Sequence, residues 1–247
     1  VIPVTLPTTK PRLGNAEAAR LGIKQKVASY TLRHACCAGP ATNIRRAVEL
    51  VDGRIVRPGE TFSLNETLGR PDPARGFVDG PAVADGRLVT RVGGGVSDLA
   101  TALYHAAFHA GFKIVERRPH DFHVSRHPLG LDAALDYPGT DLRWRNDSRY
   151  GVLIQAYIAE GTVTVALWST RRYDRVVAEV SPKRDVKPFG TISGEGSGCV
   201  PTPGANGFTV TVTRVFHKDG AEVKRDAPVT SVYRPQPRVT CAGSTRR

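Results

Sequence analysis

The chain has 247 residues, 40% of them hydrophobic, enough for one sizeable core or for a core domain with a small appendage. Its formal charge is +12 and its pI about 10.0, so the surface favours polyanions such as anionic wall polymers. Aromatics reach only 7%, and no RNA-binding strand, zinc-finger spacing or recognition helix is present, so nucleic acid is not an expected partner. No apolar run approaches the roughly 18 residues that a membrane span needs.

Residues 1–13 are rich in Pro and Thr and read as a linker. With no initiator Met and no signal peptide, the sequence is expected to be a processed product. Its export or anchoring segment would have lain upstream, so any membrane anchoring comes only through that segment. Asn15 stands where it would cap a short helix, "AEAARLG", and "IKQKVASYTLRH" alternates as a strand. "PATNIRRAVELVDG" puts Ile44, Ala47, Val48 and Val51 on one helical face, with Gly53 as its stop. "RPGETFSLNETLG" opens on a Pro-Gly turn and carries an extended piece around Phe62 and Leu64. "GPAVADGRLVTRVGGG" reads as a hairpin turning at Asp85-Gly86.

The strongest helix runs from Ser97 to Ala110. Leu99, Leu103, Ala106, Ala107 and Ala110 form its apolar face and Gly111 ends it. "KIVERRPH" and "LRWRND" read as strands, and "VLIQAYIAEGTVTVALWST" as a hairpin turning at Glu160-Gly161. Residues 176–198 are rich in Gly, Pro and Ser and read as a second linker. "FTVTVTRVFHKDGAEVKRDAPVTSVY" then alternates about a turn at Asp219-Gly220, a strong hairpin signal. The pattern predicts an α+β fold: a mixed sheet with two principal helices over 14–175, then a small β-hairpin tail over 199–247.

Four cysteines, Cys36, Cys37, Cys199 and Cys241, fit an exported protein with one or two disulfides, or buried thiols. Cys199 and Cys241 bracket the tail hairpin, which favours that bridge among the three pairings. Cys36 and Cys37 are then a vicinal disulfide, two free thiols or an alternative nucleophile pair. His105 and His109 are four apart on one helical face, a metal-ligand spacing, but no Glu follows His105, and no metal or other cofactor is expected.

Several motifs in order, "RPGETFSLNETLG", "GFVDGPAVADGRLV", "VGGGVSDLATALYHAAFHAGFKIVERRPHDFHVSRHPLGLDAAL" and "DLRWRNDSRYGVLI", resemble the VanW-like family, over roughly residues 14–172. "RHACCAGPATNIRR" and the tail resemble its actinobacterial branch. The family is associated with glycopeptide-resistance clusters and bacterial cell-surface proteins. Some relatives look to be L,D-transpeptidases with a Gly-Gly-Gly-x-Cys-Gln motif whose cysteine is the nucleophile. The matching positions here are Gly93, Gly94, Gly95, Val96, Ser97 and Asp98, so a serine and an aspartate replace the two most chemical residues.

A thiol at a helix N-terminus is favoured as thiolate, whereas a hydroxyl needs a well-placed base. Asp98 adds negative charge where an oxyanion would develop and suits the positive end of a helix. Three readings of Ser97 stand: helix cap, nucleophile, or ligand contact. The resemblance marks His120 as the base, oriented by Asp121 or Asp132. Arg126 is placed to hold a substrate carboxylate, and Gly93 to Gly95 serve a close helix approach or an oxyanion hole. His123 and His127 follow closely. Asn43, Arg45, Glu60, Phe62, Ser63 and Asn65 would form the opposite wall, and Asn43, Asn65 and Asp98 are candidate substrate contacts.

The function expected from this is an exported, extracellular or cell-envelope protein that binds peptidoglycan stem peptides, with the cysteine-type L,D-transpeptidase chemistry lost or reduced. An active serine transpeptidase or peptidase using Ser97, His120 and Asp132 is the alternative, and an extracellular scaffold the third. The oligomeric state is not legible in the sequence.

Overall fold

The computed structural model describes residues 14–34, 38–84, 87–194, 199 and 201–241. Helix α1 (Asn15–Arg20) starts directly after Gly14, which occupies the capping position in extended conformation, so Asn15 is the first helical residue and not the cap. Strand β1 (Gln25–Arg33) follows, then α2 (Ala38–Val51), which buries Ile44, Ala47, Val48 and Val51 as their spacing predicts. After the two-residue β2 (Ile55–Val56) comes β3 (Thr61–Ser63). Leu64 does not continue the extended piece, because Ser63 caps a helix: its Oγ accepts from the Glu66 amide, and α3 runs over Leu64–Leu68. Strands β4 (Asp79–Ala84) and β5 (Arg87–Val92) pair antiparallel, and their turn at Asp85-Gly86 lies outside the described residues.

Helix α4 (Ser97–His109) buries ten of its residues, including Leu99, Leu103, Ala106 and Ala107. Short strands β6 (Lys113–Glu116) and β7 (Arg143–Arg145) flank a long loop. Strands β8 (Val152–Ala159) and β9 (Thr162–Ser169) form the expected hairpin. Glu160 and Gly161 both take positive φ, 48° and 74°, the hand of turn that matches strand twist.

The main sheet, β1-β9-β8-β2, is antiparallel throughout. Helix α2 lies against β8, and α4 against β1 and β9, so the two principal helices and this sheet enclose one core. Ile44, Val51, Leu99, Leu103, Ile154, Val163 and Leu167 are fully buried in it. In the smaller β3-β7-β6 sheet, buried Trp144 stacks with Phe62 and Phe112, at centroid distances of 5.6 and 5.2 Å.

The stretch read as a second linker contains three strands, β10 (Arg175–Val180), β11 (Arg184–Lys187) and β12 (Thr191–Gly194). The tail adds β13 (Thr202–Ala205), β14 (Gly207–Lys218), β15 (Ala221–Arg225), β16 (Val229–Tyr233) and β17 (Gln236–Cys241). The twelve-residue β14 pairs with β10, β11, β15 and β16, all antiparallel. Among the described residues β12 with β17 is the only parallel pair.

The tail sheet docks on the first region. Val212 joins the main core, and Arg214 donates to the carbonyls of Phe108 (3.4 Å) and Phe112 (2.8 Å) at the end of α4. Cys199 and Cys241 form a disulfide, the bridge favoured by their bracketing of the tail hairpin. Cys36 and Cys37 lie outside the described residues. Among those residues no helix is long and apolar enough to cross a membrane.

Candidate functional site

The site begins at the glycine turn between β5 and α4. Gly93 and Gly95 take φ of +85° and +97°, conformations that side chains rarely adopt. Gly94 meets a different demand: its backbone is pressed against Gly80 of β4, and a Cβ there would sit 2.1 Å from the Gly80 carbonyl oxygen. Asn43 of α2 fastens this contact. Its Nδ2 donates to Val78 O (2.8 Å) and Gly94 O (2.9 Å), and its Oδ1 accepts from the Val78 amide (2.8 Å). Asn43, read as a substrate contact, is thus fully buried with its amide committed to scaffold backbone.

The turn leads into α4 through Val96, which occupies the capping position in helical conformation with no side-chain cap. Ser97 is therefore not the cap read from the sequence but the first helical residue. The preceding glycines already set the entry, and its Oγ instead accepts from the Leu135 amide at 3.2 Å. One turn on, Thr101 Oγ1 accepts from the Ala133 amide (3.0 Å), so the first turns of α4 are stitched to the 131–135 loop. Turn hydrogen bonds run from Val96 N to Gly93 O and from Asp98 N to Gly95 O. Among the described residues the amides of Gly95 and Ser97 take no part in them.

Two buried carboxylates organise the charges. Asp132 accepts from Arg117 (2.8 Å) and Tyr233 (2.5 Å) on Oδ1, and from the His120 amide (2.8 Å) and His120 Nδ1 (2.7 Å) on Oδ2. It is His120's orienting partner, rather than Asp121. Burial alone would raise the Asp132 carboxyl, but the His120 hydrogen bonds and the Arg117 charge outweigh it and hold the group well below the usual range. Burial, and then the Asp132 charge, push the Tyr233 hydroxyl upward, so it stays a donor.

Asp98 is the second carboxylate. Burial would raise it too, but His127 Nε2 at 2.7 Å and the Arg126 guanidinium at 2.8 Å more than compensate and lower it. Arg126 spends Nε and Nη2 on Asp98, which leaves Nη1 for a ligand carboxylate. Burial lowers His127.

Part of this arrangement lines one cleft of about 780 Å³. Gly93 to Gly95, Ser97, Asp98, Asn65, His120 and Arg126 face it, and Pro203 to Ala205 and Gln236 of the tail close one side. Asn65 keeps its Nδ2 on the Thr140 carbonyl at 3.0 Å. Among the described residues no hydrogen bond joins Ser97 to His120. The histidine pair at metal spacing is packed for another purpose: His105 stacks on Tyr30 at 3.7 Å, and His109 Nδ1 pairs with the Val176 carbonyl.

Sequence reasoning missed Arg117, Tyr233 and the role of His127. Tyr233 reads as an ordinary inward position of an alternating strand, and no local signal ties it to a residue 101 positions away. The Asp98–His127 pair, 29 residues apart, is equally silent.

Comparison with known proteins agrees with the motifs. The family model described as "VanW like protein" matches residues 40–168, just over half of the chain. The uncharacterized protein YoaR of Bacillus subtilis is 29% identical over 160 residues, 65% of this chain and 53% of that protein. The vancomycin B-type resistance protein VanW of Enterococcus faecalis is 27% identical over 143 residues, 56% of this chain and 47% of that one. The chain spans about half the length of the curated relatives it matches, and no solved structure matches it. The ordered motifs and the family match together place the chain in the VanW-like family.

Proposed function

We propose that this chain is a cell-envelope protein that binds peptidoglycan stem peptides in the cleft under the glycine turn, without the cysteine-type transpeptidase chemistry of some relatives. The observation that carries this is the state of the site's first helical turn. Ser97 Oγ accepts from the 131–135 loop, and among the described residues it has no hydrogen bond to His120. The cleft beside it keeps peptide-sized volume, the unspent Gly95 and Ser97 amides, and one free edge of Arg126 for a carboxylate. The vancomycin-resistance name of one relative supports an envelope setting. The charge of +12 would add salt-sensitive attraction to anionic wall polymers.

Titration of 15N-labelled protein with a disaccharide-tetrapeptide stem tests this. Saturable shifts centred on Gly93 to Gly95, Ser97 and His120 are expected, persisting at 0.5 M salt. Shifts scattered over the basic surface and abolished by salt would overturn stem binding in favour of bulk polyanion attraction.

A second reading, an active serine acyltransferase, has one specific observation behind it. Asp132 holds His120 by Nδ1, as the orienting carboxylate of a catalytic histidine does, which leaves Nε2 as its working nitrogen.

A further inference from the structure

The wall of the same cleft carries two carboxylate–imidazole pairs of opposite polarity, with His120 and Asp98 lining the cleft and Asp132 and His127 buried behind them. Asp132 engages His120 through Nδ1, and Asp98 engages His127 through Nε2. The nitrogens left over are His120 Nε2 and His127 Nδ1, on rings whose centroids are 5.0 Å apart. His127 is only 3% exposed, and its Nδ1 is buried with no hydrogen-bond partner. A buried polar atom without a partner costs stability, so its retention calls for a ligand. One donor atom each from His120, His127 and Asp132 lies within 4.8 Å of the others, the one such three-residue group among the described residues.

We infer that His120 and His127 form a binding site for a divalent first-row transition ion, with Asp132 and Asp98 behind them as orienting partners. Imidazole nitrogen is the donor that Zn2+, Ni2+ and Cu2+ favour. Ligating histidines almost always give their other ring nitrogen to a carboxylate or carbonyl, which fixes the tautomer and strengthens the donor. Both histidines here have that arrangement. The charge balance permits a cation: Arg117 is neutralised by Asp132 and Arg126 by Asp98, so the two guanidinium groups do not repel it unopposed. Water or a ligand group in the cleft would fill the remaining coordination positions, which makes the site an open one. His105 and His109 lie outside this group: His105 is stacked on Tyr30 at 3.7 Å, and among the described residues no third donor stands beside the pair.

This inference does not depend on what peptide or polymer the cleft takes. Its test is equilibrium dialysis of the whole chain against Zn2+, with metal content measured, beside the electronic absorption of the Co2+ form. One ion per chain is expected, with intense visible bands of histidine-bound Co2+. Affinity should drop at least tenfold in His127→Ala and in His120→Ala, and about 10–100-fold in Asp98→Asn, which only loosens the orienting contact. His105→Ala should bind as the wild type does. If the histidine variants fold poorly, the wild-type histidine side-chain 15N spectrum decides, because Zn2+ should shift His120 and His127 alone. No binding at 1 mM Zn2+, or binding that shifts other histidines instead, would overturn the site.

Discussion

Replacing Gly94 by alanine tests whether the glycine turn is a packing device, because this residue has no positive φ to protect. The new Cβ would lie 2.1 Å from Gly80 O and 2.2 Å from Gly80 C, both backbone atoms, so β4 must retreat by more than an ångström. Overpacking of that kind costs about 1–3 kcal/mol. The retreat also pulls Gly94 O and Val78 away from Asn43, whose three hydrogen bonds span the contact, and each net bond is worth about 1 kcal/mol. A loss of about 3–4 kcal/mol follows, or roughly 10 °C in melting temperature for a chain of this size. Gly220→Ala is the control. It meets open space but must hold φ near +79°, a cost of about 1–2 kcal/mol. Urea unfolding of the two variants beside wild type reads the difference. A Gly94→Ala variant no less stable than Gly220→Ala would refute the close-approach argument.

Three other outcomes are expected. Asp132→Asn leaves the buried Arg117 guanidinium without its counter-charge, so stability at neutral pH should fall by about 3–5 kcal/mol in chemical denaturation. Because Asp132 is lowered in the folded state, its contribution is full above the ordinary aspartate pKa and fades as pH drops below it. The gap between this variant and wild type should therefore narrow in acid, and a gap independent of pH would contradict the pairing. His105 titrates far below its ordinary 6.5, at about 3, because burial and then His109 disfavour its charge. The unfolded chain therefore takes up this proton first, and stability falls as pH drops from 6.5 toward 3. His105→Phe, which keeps the stack on Tyr30, should flatten that fall, and an unchanged slope would count against it.

What was legible in the sequence was local. The two hairpins turning at Glu160-Gly161 and Asp219-Gly220 follow from turn chemistry within two residues. The buried face of α2 follows from its spacing. The segment 176–194 misled because its Gly, Pro and Ser content hides strands that exist only through pairing with distant β14 and β17. The error over Ser97 has a similar root. Ser is a favoured cap, but backbone approach between Gly94 and Gly80 fixes the helix entry, and no local rule reports that contact. Of the site, the motif marks His120, with Asp121 or Asp132 to orient it, and the structure joins His120 to Asp132 at 2.7 Å. Tyr233, which holds the same carboxylate, becomes visible only once β16 has docked beside the loop, and Arg117 only once that loop has folded back on the end of β6.

The central claim is that the cleft keeps its stem-peptide geometry while Ser97 no longer acts as a nucleophile. Intact-protein mass spectrometry after incubation with disaccharide-tetrapeptide stems tests it directly, with wild type, Ser97→Ala and Ser97→Cys side by side. The account expects no covalent adduct on wild type or the alanine variant, and an acyl adduct on the cysteine variant, whose thiolate stands at the start of α4. A wild-type adduct that disappears in the alanine variant would contradict the account and establish a serine enzyme. Silence in all three would contradict it from the other side, because the cleft would then not present a stem peptide to residue 97.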